Sequence, residues 1–358
     1  MSALVQRWRE SASNHANQLA LVYEGDSLTY RDLSDQVEQR ARKLRAFLGV
    51  GYSPVGLAAQ ETLKEIVDVL ALLVLGRPYL YLENDTNCSN ALGEKAGIQV
   101  VVGRHESSPV SPTAEIGVPD ILCLLRTSGT TDRPKLVARS HQAALRNIEN
   151  YGESCLLTPA DRVALTAPPS RGPFLSQLLG GLLHGAEVHV FDFKKRGSAE
   201  FGEWLRKTRV TQVHLVPSIF VRTCETLGSQ TLPDLSTVRL GGETLRWEQV
   251  KLFKRTAPRA RILNGYSASE AAGNICCHEL QEMREAGIVP VGRPVGGREI
   301  MIVDSSGRRL KVGERGRIVV RSRHLASGYW TESVLSQVSF RKDGTEWWSD
   351  DEGYLDEE

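Results

Sequence analysis

Ile121-Leu122-Cys123-Leu124-Leu125-Arg126-Thr127-Ser128-Gly129-Thr130-Thr131-Asp132-Arg133-Pro134-Lys135 carries an apolar run into a hydroxyl-crowded turn and closes on a lysine. The run Ile121 to Leu125 predicts a buried strand. Thr127, Ser128, Gly129, Thr130 and Thr131 then predict a tight turn whose exit Pro134 stiffens. Such a loop offers backbone N–H groups, hydroxyls and one ammonium to a polyphosphate. It departs from the common P-loop, because Pro134 stands where a glycine would precede Lys135. Read alone, the stretch also fits an ordinary Ser/Thr-rich surface turn.

Working outward, the periodicity predicts an α/β chain. Leu19 to Tyr23 reads as a strand, and Thr29 can cap a helix that puts Leu33, Val37, Ala41, Leu44 and Leu48 on one face. Gly49 and Gly51 end that helix. Leu63 to Leu75 reads as a helix, Tyr79 to Leu82 and Ile98 to Val102 as strands, and residues 104–117 as a loop. Arg162 to Thr166, Glu187 to Phe191 and Gln212 to Val216 are strand-like runs separated by helical segments, which predicts parallel strands with crossover helices. From Gly292 the texture changes. Ile300 to Asp304, a Ser-Ser-Gly turn, and Gly316 to Arg321 predict antiparallel hairpins.

The chain has 358 residues, 41% of them apolar, enough to bury a substantial interior. Its 44 basic and 43 acidic residues advertise neither nucleic acid nor membrane as a partner. Val69 to Leu75 is too short to span a bilayer, and no secretory leader is visible. Cys88, Cys123, Cys155, Cys224, Cys276 and Cys277 form no C-x-x-C pair, which argues against structural zinc. Scattered thiols fit a reducing, cytoplasmic setting.

Six ordered blocks resemble the adenylate-forming superfamily, which includes acyl- and aryl-CoA ligases, luciferases and the adenylation domains of nonribosomal peptide synthetases. The hydroxyl-rich loop matches the family's phosphate loop from Thr127 to Lys135, except that Asp132 and Leu136 replace glycines. The continuation Lys135 to His141 resembles aryl-acid-activating members. Leu28 to Leu33, Leu240-Gly241-Gly242-Glu243, Asn264 to Glu270, Gly316 to Ile318 with Ser327 to Trp330, and Ser349 to Gly353 resemble the remaining blocks.

The resemblance implies two parallel-sheet α/β subdomains, at 1–165 and 166–290, plus an antiparallel β-barrel-like subdomain at 291–358. The family's small C-terminal lid domain, with its adenylate-contacting lysine, is expected to be absent. The chain would then be an excised large domain or a protein that lost its lid. The implied reaction is attack of a carboxylate on the α-phosphorus of ATP. That needs alignment and charge neutralisation rather than a base. By the resemblance, Lys135, Ser269 and Glu270 are catalytic, and Glu270 is the ligand of Mg²⁺. Thr127, Ser128, Gly129, Thr130 and Thr131 would take the phosphates. Gly241, Gly242, Glu243, Asn264, Gly265 and Tyr266 would surround the adenine side, and Asp351 would accept the ribose hydroxyls. Asp350 competes with it.

Counted without gaps against the family, the acid pocket draws on Gly172, Pro173, Ser176, His214, Arg239, Gly241, Gly265, Gly273 and Asn274. Gly172 falls where amino-acid-activating members carry an aspartate. None of these residues is acidic, and a buried ammonium without a partner is costly. The expected substrate is therefore a small carboxylic acid without a free α-ammonium: an aryl, keto, hydroxy or acyl acid. The expected acceptor is a carrier-protein phosphopantetheine thiol. CoA is the alternative, and a catalytically silent nucleotide-binding module is a third reading.

Overall fold

Thr29 accepts a hydrogen bond from Asp32 N–H at 3.1 Å while the Asp32 carboxylate accepts one from Thr29 N–H at 3.1 Å. This capping box fixes the start of the helix Tyr30–Leu48, and Gly49, at φ 67°, ends it. The helix buries Leu33, Val37, Ala41 and Leu44, so its amphipathic spacing faces a core as expected. The computed structural model describes residues 2–58, 62–83, 93, 96–98, 100–103, 120–127, 135–331 and 334–357.

In chain order the first strands are β1 (Leu19–Tyr23), β2 (Asp26–Thr29), β3 (Val55–Ala58), β4 (Tyr79–Leu82), β5 (Val101–Val102), β6 (Ile121–Thr127) and β7 (Lys135–Ser140). β8 (Arg162–Leu165), β9 (Glu187–Val190), β10 (Gln212–Leu215), β11 (Thr237–Gly241), β12 (Arg261–Ala268), β13 (Gly273–Glu279) and β14 (Arg293–Pro294) follow. The last are β15 (Glu299–Val303), β16 (Gly316–Arg321), β17 (Gly328–Thr331), β18 (Val334–Ser336), β19 (Phe340–Arg341) and β20 (Glu346–Gly353).

Among the described residues these strands form three sheets. The largest runs β14-β13-β12-β11-β10-β8-β9-β1-β2, parallel from β12 to β1 with antiparallel edges. A second runs β18-β17-β7-β6-β4-β3-β5, parallel from β6 to β5. The third, β15-β16-β20-β19, is antiparallel throughout. The parallel strands are short apolar runs joined by helices, which is why the alternation of strand and helix patterns is readable in sequence.

The α/β class and the antiparallel C-terminal region agree with expectation. The barrel-like closure does not form among the described residues, where β15 and β19 are open edges. Four strands are too few to close on themselves. β17 and β18, which would have enlarged that sheet, pair with β7 instead. Sheet membership also interleaves along the chain. β1 and β2 join strands after 162, while β17 and β18 join strands before 140. We propose the division at 1–165, 166–290 and 291–358 as the organisation of the chain.

One apolar cluster holds Leu21 and Val188 from the first sheet together with Leu57, Tyr79 and Leu125 from the second. The helix Pro173–Leu183, buried from Phe174 to Leu183, packs within it. A smaller cluster joins Val137 of β7, Ile275 of β13 and Val320 of β16, so all three sheets meet there. Tyr266 and Tyr329 pack on that cluster, and the candidate site is built around it.

Candidate nucleotide and acid site

Thr127 ends β6, Lys135 begins β7, and the two pair across the ladder. Ser128, Gly129, Thr130 and Thr131, with Asp132, Arg133 and Pro134, lie outside the described residues. Lys135 Nζ stands over the Tyr329 ring, 5.1 Å from its centroid. β17 delivers Tyr329 by pairing it with Val137. The Tyr329 hydroxyl donates to Glu270 Oε1 at 3.1 Å. Burial, reinforced by the Glu270 charge, pushes the Tyr329 hydroxyl up to about 12. It therefore remains a donor at neutral pH.

Ser269 and Glu270 occupy the tight connection between β12 and β13. Ala272 N–H donates to Ser269 C=O at 3.0 Å, and Ala326 N–H donates to Glu270 C=O at 2.9 Å. Ala272 adopts φ 56° to complete the turn. A cation, an aromatic ring and a carboxylate thus form one chain: Lys135, Tyr329, Glu270. Sequence reading does not single out Tyr329, although its Ser-Gly-Tyr-Trp block is visible. Nothing local in sequence says that β17 pairs with β7.

Tyr266 on β12 donates its hydroxyl to Asp351 Oδ2 at 2.6 Å. Burial, then the bond to Asp351, raises the Tyr266 hydroxyl far above the usual range. Asp351 N–H donates to Ser349 Oγ at 3.2 Å, and Ser349 Oγ donates to Ile318 C=O at 2.8 Å, which fixes the carboxylate on β20. Asp350 points elsewhere, 3.5 Å from Arg317. The geometry therefore separates the two aspartates that the sequence leaves in competition.

Gly241 and Gly265 are neighbours on β11 and β12. A Cβ on Gly241 would stand 2.9 Å from Gly265 C=O, so the close approach needs glycine. Gly242, at φ 84°, needs it for its backbone. Glu243 turns its carboxylate to Ser218, accepting from N–H at 3.0 Å and from Oγ at 2.8 Å. Asn264 donates to the Val289 and Pro290 carbonyls at 3.2 and 2.9 Å. The side chains of Glu243 and Asn264 are thus occupied in holding the surrounding loops.

The expected acid-pocket residues converge in two groups. Asn147, on the helix His141–Cys155, donates to Ser176 Oγ at 2.8 Å and accepts from Asn274 N–H at 2.8 Å. A Cβ on Gly273 would collide with Asn147. Tyr151, one turn further along that helix, stacks on His214 at 5.8 Å between centroids and lies under the Arg239 guanidinium at 5.8 Å. Gly172 caps the helix Pro173–Leu183, and Pro173 is its first residue. Asn147 and Tyr151 are absent from the sequence-based set; their helical spacing is the only signal that could have marked them.

His141 hydrogen-bonds Ser2 at 3.0 Å and is buried. Burial lowers it to about 4, and burial with the Arg239 charge lowers His214 to about 3. Unfolded histidine protonates near about 6.5, so the unfolded chain binds more protons below that value. Stability is then full above about pH 7 and falls as pH drops from about 6.5 toward about 4. We expect the melting temperature to decline through that window, and His214→Gln to flatten the slope. A melting temperature constant down to pH 4 would contradict this assignment.

Comparison with known proteins defines the class. The pattern of the AMP-binding enzymes matches residues 84–330, and the chain belongs to that family. Tyrocidine synthase 2 of Brevibacillus parabrevis is 26% identical over 363 residues, covering 95% of this chain and 10% of that protein. The chain thus spans about a tenth of the length of the curated relatives it matches. Among solved structures, the AMPPNP-bound form of the nonribosomal peptide synthetase FmoA3 superposes with a TM-score of 0.87 at 22% identity, covering 99% of this chain and 41% of that one. VinN superposes with a TM-score of 0.86 at 20% identity, covering 99% and 97%. Among the described residues no helix is long and apolar enough to cross a membrane.

Proposed function

We propose that this chain joins a small carboxylic acid to ATP as an acyl-adenylate, releasing pyrophosphate, and that the acyl group then passes to a carrier-protein phosphopantetheine thiol. The observation that carries the reading is the Lys135–Tyr329–Glu270 chain at the meeting of three sheets. Lys135 neutralises the outer phosphates, and the hydroxyls of Thr127, Ser128, Thr130 and Thr131, with Gly129, complete the grip. Ser269 donates toward the α-phosphate. Tyr266 stacks on adenine beside Gly241, Gly242, Glu243, Asn264 and Gly265. Asp351 accepts the ribose hydroxyls, since one carboxylate suits a vicinal diol.

The residues fit Mg²⁺. Glu270 engages Tyr329 through one oxygen, and among the described residues no cluster of metal-ligating side chains competes. Mg²⁺ is held by one or two carboxylates together with phosphate oxygens. When bound it would neutralise charge on the phosphates. The acid carboxylate is already a nucleophile, so this chain's residues need only align it and stabilise charge. Gly172, Pro173, Ser176, His214, Arg239, Gly273 and Asn274 line its pocket and offer no anion to an α-ammonium. Supporting the acceptor, the structural neighbour FmoA3 is a nonribosomal peptide synthetase, and another neighbour contains adenylation and PCP domains.

The test is ATP–pyrophosphate exchange across aryl, keto, hydroxy, acyl and amino acids, followed by transfer of the adenylate to holo-carrier protein or to CoA. Exchange with non-amino acids and thioester formation on carrier protein are expected. Transfer to CoA alone would make the chain a CoA ligase. Nucleotide binding without exchange for any acid would make it a silent nucleotide-binding module.

A further inference from the structure

Arg139 is 1% exposed, yet its Nε and Nη1 make no hydrogen bond. Among the described residues no carboxylate pairs with it. Its ionisable neighbours are Cys123 and Tyr79, which share its row across β7, β6 and β4. Arg298, 6% exposed, adds positive charge nearby and, among the described residues, hydrogen-bonds only backbone carbonyls, of Val295 and Ala271. Burying a guanidinium without a counter-ion costs several kcal/mol. Among the described residues no anion offsets that cost.

The direction of the side chain is set by β7. Alternate residues share a strand face, so Arg139 lies on the face of Val137 and Lys135. Val137 packs in the cluster under the candidate site. Lys135 and Arg139 are separated by about 13 Å along the strand, four residues at about 3.3 Å each. At the far end, Arg139 Nη2 stands 3.6 Å from where a Cβ on Gly172 would lie. Gly172 has an ordinary helical backbone, φ −52° and ψ −41°. Its backbone does not demand glycine; the missing side chain leaves space beside the guanidinium. Arg239, by contrast, already has Ser154 Oγ at 2.9 Å, Cys277 Sγ at 3.5 Å and the Tyr151 ring.

Resting on the adenylation reading, we propose that the acid pocket takes a substrate with a second anionic group, a dicarboxylic acid in the simplest case, whose distal carboxylate Arg139 holds. The guanidinium fork matches a carboxylate in a planar, two-bond geometry. The distal anion supplies the missing counter-ion, while the proximal carboxylate lies toward Lys135 and Glu270. Monoacids of equal length leave the buried charge unanswered.

Calorimetry on the chain with paired probes, glutarate against pentanoate and isophthalate against benzoate, tests this. A charge-assisted pair is worth about 10- to 150-fold in affinity, so the diacid of the correct shape should win by that ratio. Arg139→Met should erase the preference and leave the monoacid within about threefold; Arg139→Lys should fall between. Gly172→Asp covers the case in which Arg139→Met fails to fold. Its carboxylate answers Arg139 internally, so it should keep or raise the melting temperature while abolishing diacid preference. Equal affinities in the parent chain, or a preference that survives both variants, would overturn the proposal. Diacid binding that depends on Arg139, with no pyrophosphate exchange for any acid, would sink the adenylation reading and leave the anion site standing.

Discussion

Lys135→Ala should lower ATP affinity by about 10- to 150-fold, the worth of a hydrogen bond to a charged group, and should leave AMP affinity nearly unchanged. The asymmetry follows from position. Lys135 opens β7 directly after the hydroxyl-rich stretch of sequence, whereas Tyr266 and Asp351 lie on β12 and β20. Among the described residues no carboxylate pairs with Lys135, and its one ring contact is Tyr329. Losing that contact costs the fold about 1 kcal/mol or less. Isothermal titration with ATP and AMP separates the two effects, and equal losses for both nucleotides would refute the phosphate role.

Glu270→Gln should reduce pyrophosphate exchange by about 100- to 1,000-fold, as expected when a group that stabilises transition-state charge is removed. Glutamine preserves shape and still accepts the Tyr329 hydroxyl, so the loss isolates charge rather than packing. Removing that charge also lowers the Tyr329 hydroxyl from its raised value, since Glu270 is one of its causes. Exchange should lose its steep dependence on magnesium concentration. Retention within about threefold of the parent rate would refute Glu270 as the metal-facing carboxylate, because one ionic ligand cannot be surrendered so cheaply.

Much of the fold was legible because its signals are local. Thr29 with Asp32 marks a cap, and Tyr79–Leu82 is a short apolar run bounded by Gly76 and Pro78. The pairing of β15 with β16 follows from two alternating runs around a turn. What stayed hidden is long-range. β17 pairs with β7 across nearly two hundred positions, and no spacing rule encodes that. The same holds within the site. Tyr266, Glu270 and Asp351 stand in readable blocks, but Tyr329 joins Lys135 to Glu270 only through the tertiary pairing. Arg139 was masked by its apolar neighbours, because a cation inside a buried strand has no characteristic pattern.

The return of β17 to the edge of β7 bears on how such chains could be recombined. A graft that exchanges residues 55–140 between relatives while leaving Gly328–Thr331 behind would mismatch the seam that carries Tyr329. Chimeras should therefore transplant both segments together. A single crossover anywhere between Ser140 and Gly328 would divide that seam between the two parents.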